Sequence, residues 1–252
     1  MPSVLKHIDL FLAQTEEDQR RLLQIGAPEG RVQVSGNLKF DAPEPARPPI
    51  LEDLKMALVV EGAGPVIVCG STVEGEEALL IPVFKKLFKQ HRGAVVLLAP
   101  RHPERFDAVA TLLKQEHIRF VRRSQRSGGG MAGAVLLLDT IGELSALYAL
   151  ADVAFVGGSL VPRGGHNILE PARYNSAIVV GEHTENFRDI VELFRSQDAL
   201  RVTNPSSLEK DLLELMADES GRFALGQRAA EVLQAQAGAT ERTLSALAEL
   251  LG

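Results

Sequence analysis

The sequence carries a single cysteine, Cys69, no surplus of positive charge, no metal-ligand spacing among its histidines and no long apolar run. Each shortage excludes something. One thiol makes neither an internal disulfide nor a cysteine-rich metal site, and it fits a reducing, cytoplasmic compartment. Lys and Arg number 27 against 33 Asp and Glu, a formal net charge of -6. No nucleic-acid partner is expected at that balance, because phosphate backbones need a basic footprint. The histidines, His7, His91, His102, His117, His166 and His183, show no HxxxH-type pair, so no metal is expected; no cofactor is expected either. No stretch approaches the roughly 18 apolar residues of a membrane span, and the N-terminus has no secretory pattern. The chain as given reads as soluble.

What is present is an ordinary globular composition: 252 residues, 45% hydrophobic and 24% charged. That is room for one large domain, or one domain with part of another. Residues 8–13 read as a strand and 15–25 as the helix behind it, started by Thr15 with Glu16, Glu17 and Asp18 and stopped by Gly26. Residues 31–35 form a second short strand. These elements have little sheet to join, so residues 1–41 are expected to be the remnant of a larger N-terminal domain. In 42–50, APEPARPPI, prolines 43, 45, 48 and 49 disfavour helix and sheet; residues 42–62 are read as a linker followed by a helix.

From there strands and helices alternate. Strands are expected at 66–69, 94–98, 118–121, 134–138, 153–156, 177–180 and 200–202, and helices at 51–60, 74–90, 103–116, 141–150, 168–174 and 187–196. Continuous Val, Ile and Leu runs separated by helical intervals describe parallel strands buried on both faces. Residues 63–204 are therefore expected to form a Rossmann-like, doubly wound α/β domain, and 205–252 C-terminal helices. In the 74–90 helix, Leu79, Leu80, Val83, Phe84, Leu87 and Phe88 form a stripe toward the sheet, with Pro82 expected to kink it. The loop SQRSGGGMAG, 124–133, is read as flexible punctuation and not as a phosphate loop.

Polar residues recur where strands end, and in an open parallel sheet ligands bind at those carboxyl ends. Residues 70–77 (GSTVEGEE), 100–106 (PRHPERF), 139–144 (DTIGEL) and 157–172 (GGSLVPRGGHNILEPA) all lie there. Glycines allow close backbone approach, and a helix starting behind Gly164 and Gly165 would aim N–H groups at an anion. Arg101 suits a phosphate, and Glu170 suits ribose hydroxyls or a base amino group. Asn167 with Glu170, and Thr140 with Glu143, equally fit capping boxes. Together the four features favour one nucleotide cleft.

The order GNLKFD (36–41), GST..GEE, PRHPERF, DT.GEL, GGSLVPRGGHN.LEPA and NFRDI (186–190) closely resembles the Kdo transferases. These move 3-deoxy-D-manno-octulosonic acid (Kdo) from CMP-Kdo to the lipid A precursor, lipid IVA, in lipopolysaccharide core biosynthesis. The resemblance implies the C-terminal half of a glycosyltransferase B fold. It implies CMP contacts at Pro100 and Arg101, at Ile141, Gly142 and Glu143, and at Asn167, Ile168, Leu169 and Glu170. A sugar-site loop would use Ser71, Ser159, Gly164, Gly165 and His166. Full-length members work at the cytoplasmic face of the inner membrane. They carry a larger N-terminal domain with a membrane anchor, the acceptor surface and a general base, largely missing from this sequence. No residue here takes the base role by resemblance, so the chain alone is expected to bind CMP-Kdo without transferring sugar. Two alternatives stand: a sugar-nucleotide epimerase of the same architecture, preferring a uridine nucleotide, and a non-catalytic nucleotide-binding module.

Overall fold

The computed structural model describes residues 2–126, 128 and 130–252. In chain order the elements are α1 (Pro2–Leu5), β1 (Phe11–Ala13), α2 (Glu16–Gln24), β2 (Val32–Val34), α3 (Pro49–Glu61), β3 (Val66–Thr72), α4 (Glu76–Gln90), β4 (Val95–Pro100), α5 (Phe106–Gln115), β5 (Phe120–Arg122) and β6 (Ala134–Leu137). They continue as α6 (Leu144–Leu147), β7 (Val153–Val156), α7 (Leu169–Ala172), β8 (Ala177–Val180), α8 (Arg188–Ser196), β9 (Arg201–Val202), α9 (Leu208–Ala217), α10 (Glu219–Ala235) and α11 (Ala239–Leu251). The chain divides into two compact units, one of Pro45–Val232 and one that joins Met1–Glu44 to Leu233–Gly252. Among the described residues no helix is long and apolar enough to cross a membrane.

The smaller unit holds β1 and β2 as a parallel pair, Phe11 opposite Val32 and Ala13 opposite Val34. Thr15 caps α2, its hydroxyl oxygen accepting the Asp18 N–H at 3.0 Å. Asp41, the last residue of GNLKFD, accepts N–H groups from Gly238 at 2.7 Å and Thr240 at 2.5 Å at the start of α11. Those bonds, led by the one from Thr240, hold its carboxyl below the usual range. Arg242 in α11 donates to the Ser35 carbonyl at 2.8 Å. The motif therefore ties the C-terminal helix to the N-terminal segment of this unit.

The larger unit is built on seven parallel strands in the order β5-β6-β4-β3-β7-β8-β9. Side-chain alternation along each strand feeds two cores. On one face Ile67, Cys69, Val96, Leu98, Val135, Leu137 and Phe155 pack with Leu80, Phe84 and Leu87 of α4, Leu113 of α5 and Leu212 of α9. On the other, Val66, Val68, Val95, Leu97, Leu136 and Ala154 pack with Ile50, Leu51 and Leu54 of α3 and with Leu147 and Tyr148. Helices on both faces of a parallel sheet make the unit doubly wound, the fold class read from the sequence.

The loop read as flexible punctuation is tethered instead. Glu61, the last residue of α3, accepts the N–H groups of Gly130, Met131 and Ala132 at 2.7, 2.8 and 3.0 Å. Arg119 donates to the carbonyls of Gly130 and Ala132. Three successive N–H groups make an anion nest, and a side chain of the protein occupies it. Part of that expectation falls on residues 127 and 129, outside the described residues.

Candidate functional site

The chain runs from β3 outward through β4, then returns on the far side of β3 with β7, so strand order reverses between β3 and β7. A crevice at the carboxyl ends of these strands is where open α/β sheets bind ligands. The sequence is unusual at that point. A Cβ on Gly70 would collide with the buried Tyr148 hydroxyl. Ser71 has φ +55°, rare for a residue other than glycine, and sits where the β3–β4 register shifts between Gly70 and Thr72. A bulge beside a ligand crevice turns a side chain out of the strand's alternation.

Behind the crevice lie two buried carboxylates from GEE. Glu76, 0% exposed, accepts the Val73 and Gly158 N–H groups on one oxygen, at 3.0 and 2.8 Å. Its other oxygen takes those of Ser159 and Leu160, both at 2.9 Å. Burial pushes its carboxyl up and the four N–H bonds oppose the shift. Glu77 is clamped by Arg105 of PRHPERF at 2.7 and 2.8 Å and accepts the Thr72 hydroxyl at 2.8 Å.

These bonds engage the main chain at the first glycine pair of the stretch, Gly157 and Gly158. The N–H groups of residues 158–160 are satisfied by Glu76, and α7 behind them is one turn long, too short for a substantial end dipole. Ser159 is fully buried; its hydroxyl donates to the Val156 carbonyl and accepts the Gly181 N–H. Gly164 and Gly165, both at positive φ, are buried; Asn186 of NFRDI donates its main-chain N–H to the Gly164 carbonyl and its side-chain amide to the Arg163 carbonyl, and the Gly165 N–H donates to the Gly158 carbonyl.

Arg101 follows β4 directly, exposed, with its main-chain N–H on the Thr72 carbonyl at 2.8 Å. Among the described residues its guanidinium enters no ion pair. Its charge reaches His166 and Glu170, which come from the segment beyond β7. Burial, then Arg101 and His102, hold the His166 imidazole below its ordinary pKa, and its Nε2 is buried with no hydrogen-bond partner among the described residues. Glu170 is pushed up by burial, against bonds from the Asn167 and Ser145 side chains and the charges of Arg101 and Arg173. Asn167 donates to Glu170 at 3.3 Å and accepts the Leu169 N–H at 3.1 Å. That is a turn two residues long and not the expected capping box, since Ile168 stands at the N-cap. Ile168 and Leu169 are buried.

The third predicted group, after β6, is organised differently. Gly142 has φ +87° and Ile141 is 80% exposed. Thr140 does not cap α6; its hydroxyl meets Glu143 at 2.5 Å. Arg123 binds the same carboxylate at 2.8 and 3.1 Å. Arg123, Arg105, Ser145 and Asn186 were not singled out by the sequence as ligand-site candidates. Arg105 and Asn186 lay in recognised motifs, whereas nothing local distinguished Arg123.

A family model described as 3-deoxy-D-manno-octulosonic-acid transferase (kdotransferase) matches residues 1–42. A 3-deoxy-D-manno-octulosonic acid transferase of Bordetella pertussis is 40% identical over 98% of this chain, which spans 58% of that relative's length. The crystal structure of the C-terminal CMP-Kdo binding domain of WaaA from Acinetobacter baumannii superimposes with TM-score 0.68 at 32% identity, over 73% of this chain and 97% of that domain. Anabaena HepE, solved with UDP-glucose, matches 96% of this chain and 63% of its own with TM-score 0.57 at 15% identity, a likeness of fold alone. The seven-stranded unit has the architecture of the C-terminal half of a glycosyltransferase B fold, and the chain belongs to the Kdo transferase family.

Proposed function

We propose that this chain supplies the CMP-Kdo site of an enzyme that transfers Kdo to the lipid A precursor, lipid IVA, in lipopolysaccharide core biosynthesis. One observation carries the reading: beside the β3–β7 switch point the Arg101 charge, from the end of β4, reaches Glu170, the carboxylate to which Asn167 donates. Arg101 binds the donor phosphate, the main chain around Gly142 lines the nucleotide, and Asn167 with Glu170 fixes the ribose. The Acinetobacter domain, titled for CMP-Kdo binding, supports that assignment. Residues 63–204 are the donor domain and residues 1–41 belong to the acceptor domain.

The transfer is inverting. The acceptor oxygen attacks the anomeric carbon as a base removes its proton, and CMP leaves with the bonding electron pair. Neither the base nor the acceptor surface is assigned to a residue of this chain; both belong to the length of the relatives that the chain does not span. Contact with the cytoplasmic face of the inner membrane belongs there too. Calorimetric titration tests the reading: the chain binds CMP at least tenfold more tightly than UMP, and alone forms no Kdo-lipid product from CMP-Kdo. Equal affinity for UMP, or turnover by the chain alone, contradicts it.

A further inference from the structure

We propose that Arg123 is a positioning residue for nucleotide binding, acting through Glu143; the proposal rests on the reading that residues 141–143 line the CMP site. The loop after β6 is anchored in the core at its two ends, by Leu138 and Leu144, and has little apolar anchorage between them. Ile141 is 80% exposed, Gly142 is exposed at positive φ with nothing near its Cβ position, and α6 has no side-chain cap. Its shape is fixed by a polar clasp from the turn that follows β5. Arg123 Nη2 meets Glu143 Oε1 at 2.8 Å and Arg123 Nε meets Oε2 at 3.1 Å. Next to it, Ser124 donates its N–H and its hydroxyl to the two oxygens of Asp139, at 2.8 and 2.6 Å.

Two consequences follow. Both oxygens of Glu143 are already engaged, one by Arg123 and the other by Arg123 and Thr140, so Glu143 serves the nucleotide by holding its own main chain in place. The two-point contact also requires the planar fork of arginine, which a lysine ammonium does not reproduce. The side chains are 24% and 16% exposed, shielded enough for the pair to hold the loop and accessible enough for a variant to fold.

The test is calorimetric titration of CMP into the wild type, Arg123→Ala, Arg123→Lys, Glu143→Ala, Arg123→Ala/Glu143→Ala and Arg101→Ala, with the melting temperature of each. Arg123→Ala is expected to weaken CMP binding about tenfold, an effect within the usual range for a charged hydrogen-bonded pair, while melting close to the wild type. Arg123→Lys is expected to recover part of the loss. In the Glu143→Ala background the Arg123→Ala change should cost almost nothing, because coupled residues do not add. Wild-type affinity in Arg123→Ala beside lost affinity in Arg101→Ala overturns this proposal and leaves the CMP site standing. A full, additive loss in the double variant also overturns it. No CMP binding by the wild type defeats both.

Discussion

Arg105 lays two guanidinium nitrogens against the two carboxylate oxygens of Glu77, at 2.7 and 2.8 Å, and so joins the turn after β4 to the first turn of α4. The Glu77 side chain is 2% exposed and that of Arg105 19%. The pair is anchored at Thr72, whose hydroxyl donates to Glu77. Its second link, from Arg105 to the Thr72 carbonyl at 3.4 Å, shares that acceptor with the Arg101 N–H.

Removing one partner of a buried ion pair strands the other charge, which typically costs about 3–5 kcal/mol. Arg105→Ala is therefore expected to lower stability by that order in urea denaturation, with Arg105→Lys in between. A change below about 0.5 kcal/mol, the level of an ordinary surface substitution, would mean the clamp does not hold the switch point together.

Glu76 leads to a second prediction. Glu76→Gln keeps the shape but turns an –NH2 toward two N–H donors, leaving them without an acceptor, at about 1–3 kcal/mol for each buried group left unpaired. Amide exchange at Gly158, Ser159 and Leu160 should accelerate selectively in this variant. Unchanged protection there would show that the carboxylate does not fix the glycine loop.

Titration of the crevice gives a third, with opposite signs for two residues. His166 is held below its ordinary value of 6.5, chiefly by burial, so the unfolded chain binds the proton more readily. Its stabilising contribution is complete above that value and is lost as pH falls toward the depressed one. Glu170 is raised above 4.5, chiefly by burial; its contribution is complete below that value and is lost as pH rises through the raised one. Melting temperatures across pH should show His166→Gln gaining on the wild type as pH falls below 6.5. Glu170→Gln should gain on it as pH rises above 4.5. Parallel melting curves for wild type and variants contradict the burial of either group.

How much of this was legible depends on the range of the forces involved. The bounds of β7 and β8 follow from their own Val, Ile and Ala runs, and the α2 cap from Thr15 and three acidic residues, because both signals are local. β3 runs on to Thr72, beyond the expected 69, since Gly70, Ser71 and Thr72 continue it through a bulge that only its neighbours β4 and β7 define. The helix expected from 74 starts at Glu76, because Gly75 at φ +96° and the pull of Glu76 toward residues 158–160 shape the turn. Arg101, Asn167 and Glu170 were visible as polar residues at strand ends. That Glu76 fills the glycine nest, that Glu61 holds residues 130–132 and that Arg123 holds Glu143 was not. Each of those bonds joins residues far apart in sequence, and neither end carries a local signature of its partner.

The measurement that tests the central claim most directly is amide chemical-shift mapping of the chain as CMP is added. The expected result is a cluster of shifts at Arg101, at Ile141, Gly142 and Glu143 and from Asn167 to Glu170, saturating with CMP and absent in Arg101→Ala. Shifts that instead gather around Arg201, Asp218 and Arg228, which line a separate surface cavity, or no saturable shifts in the folded chain, would contradict a CMP site at the β3–β7 switch point.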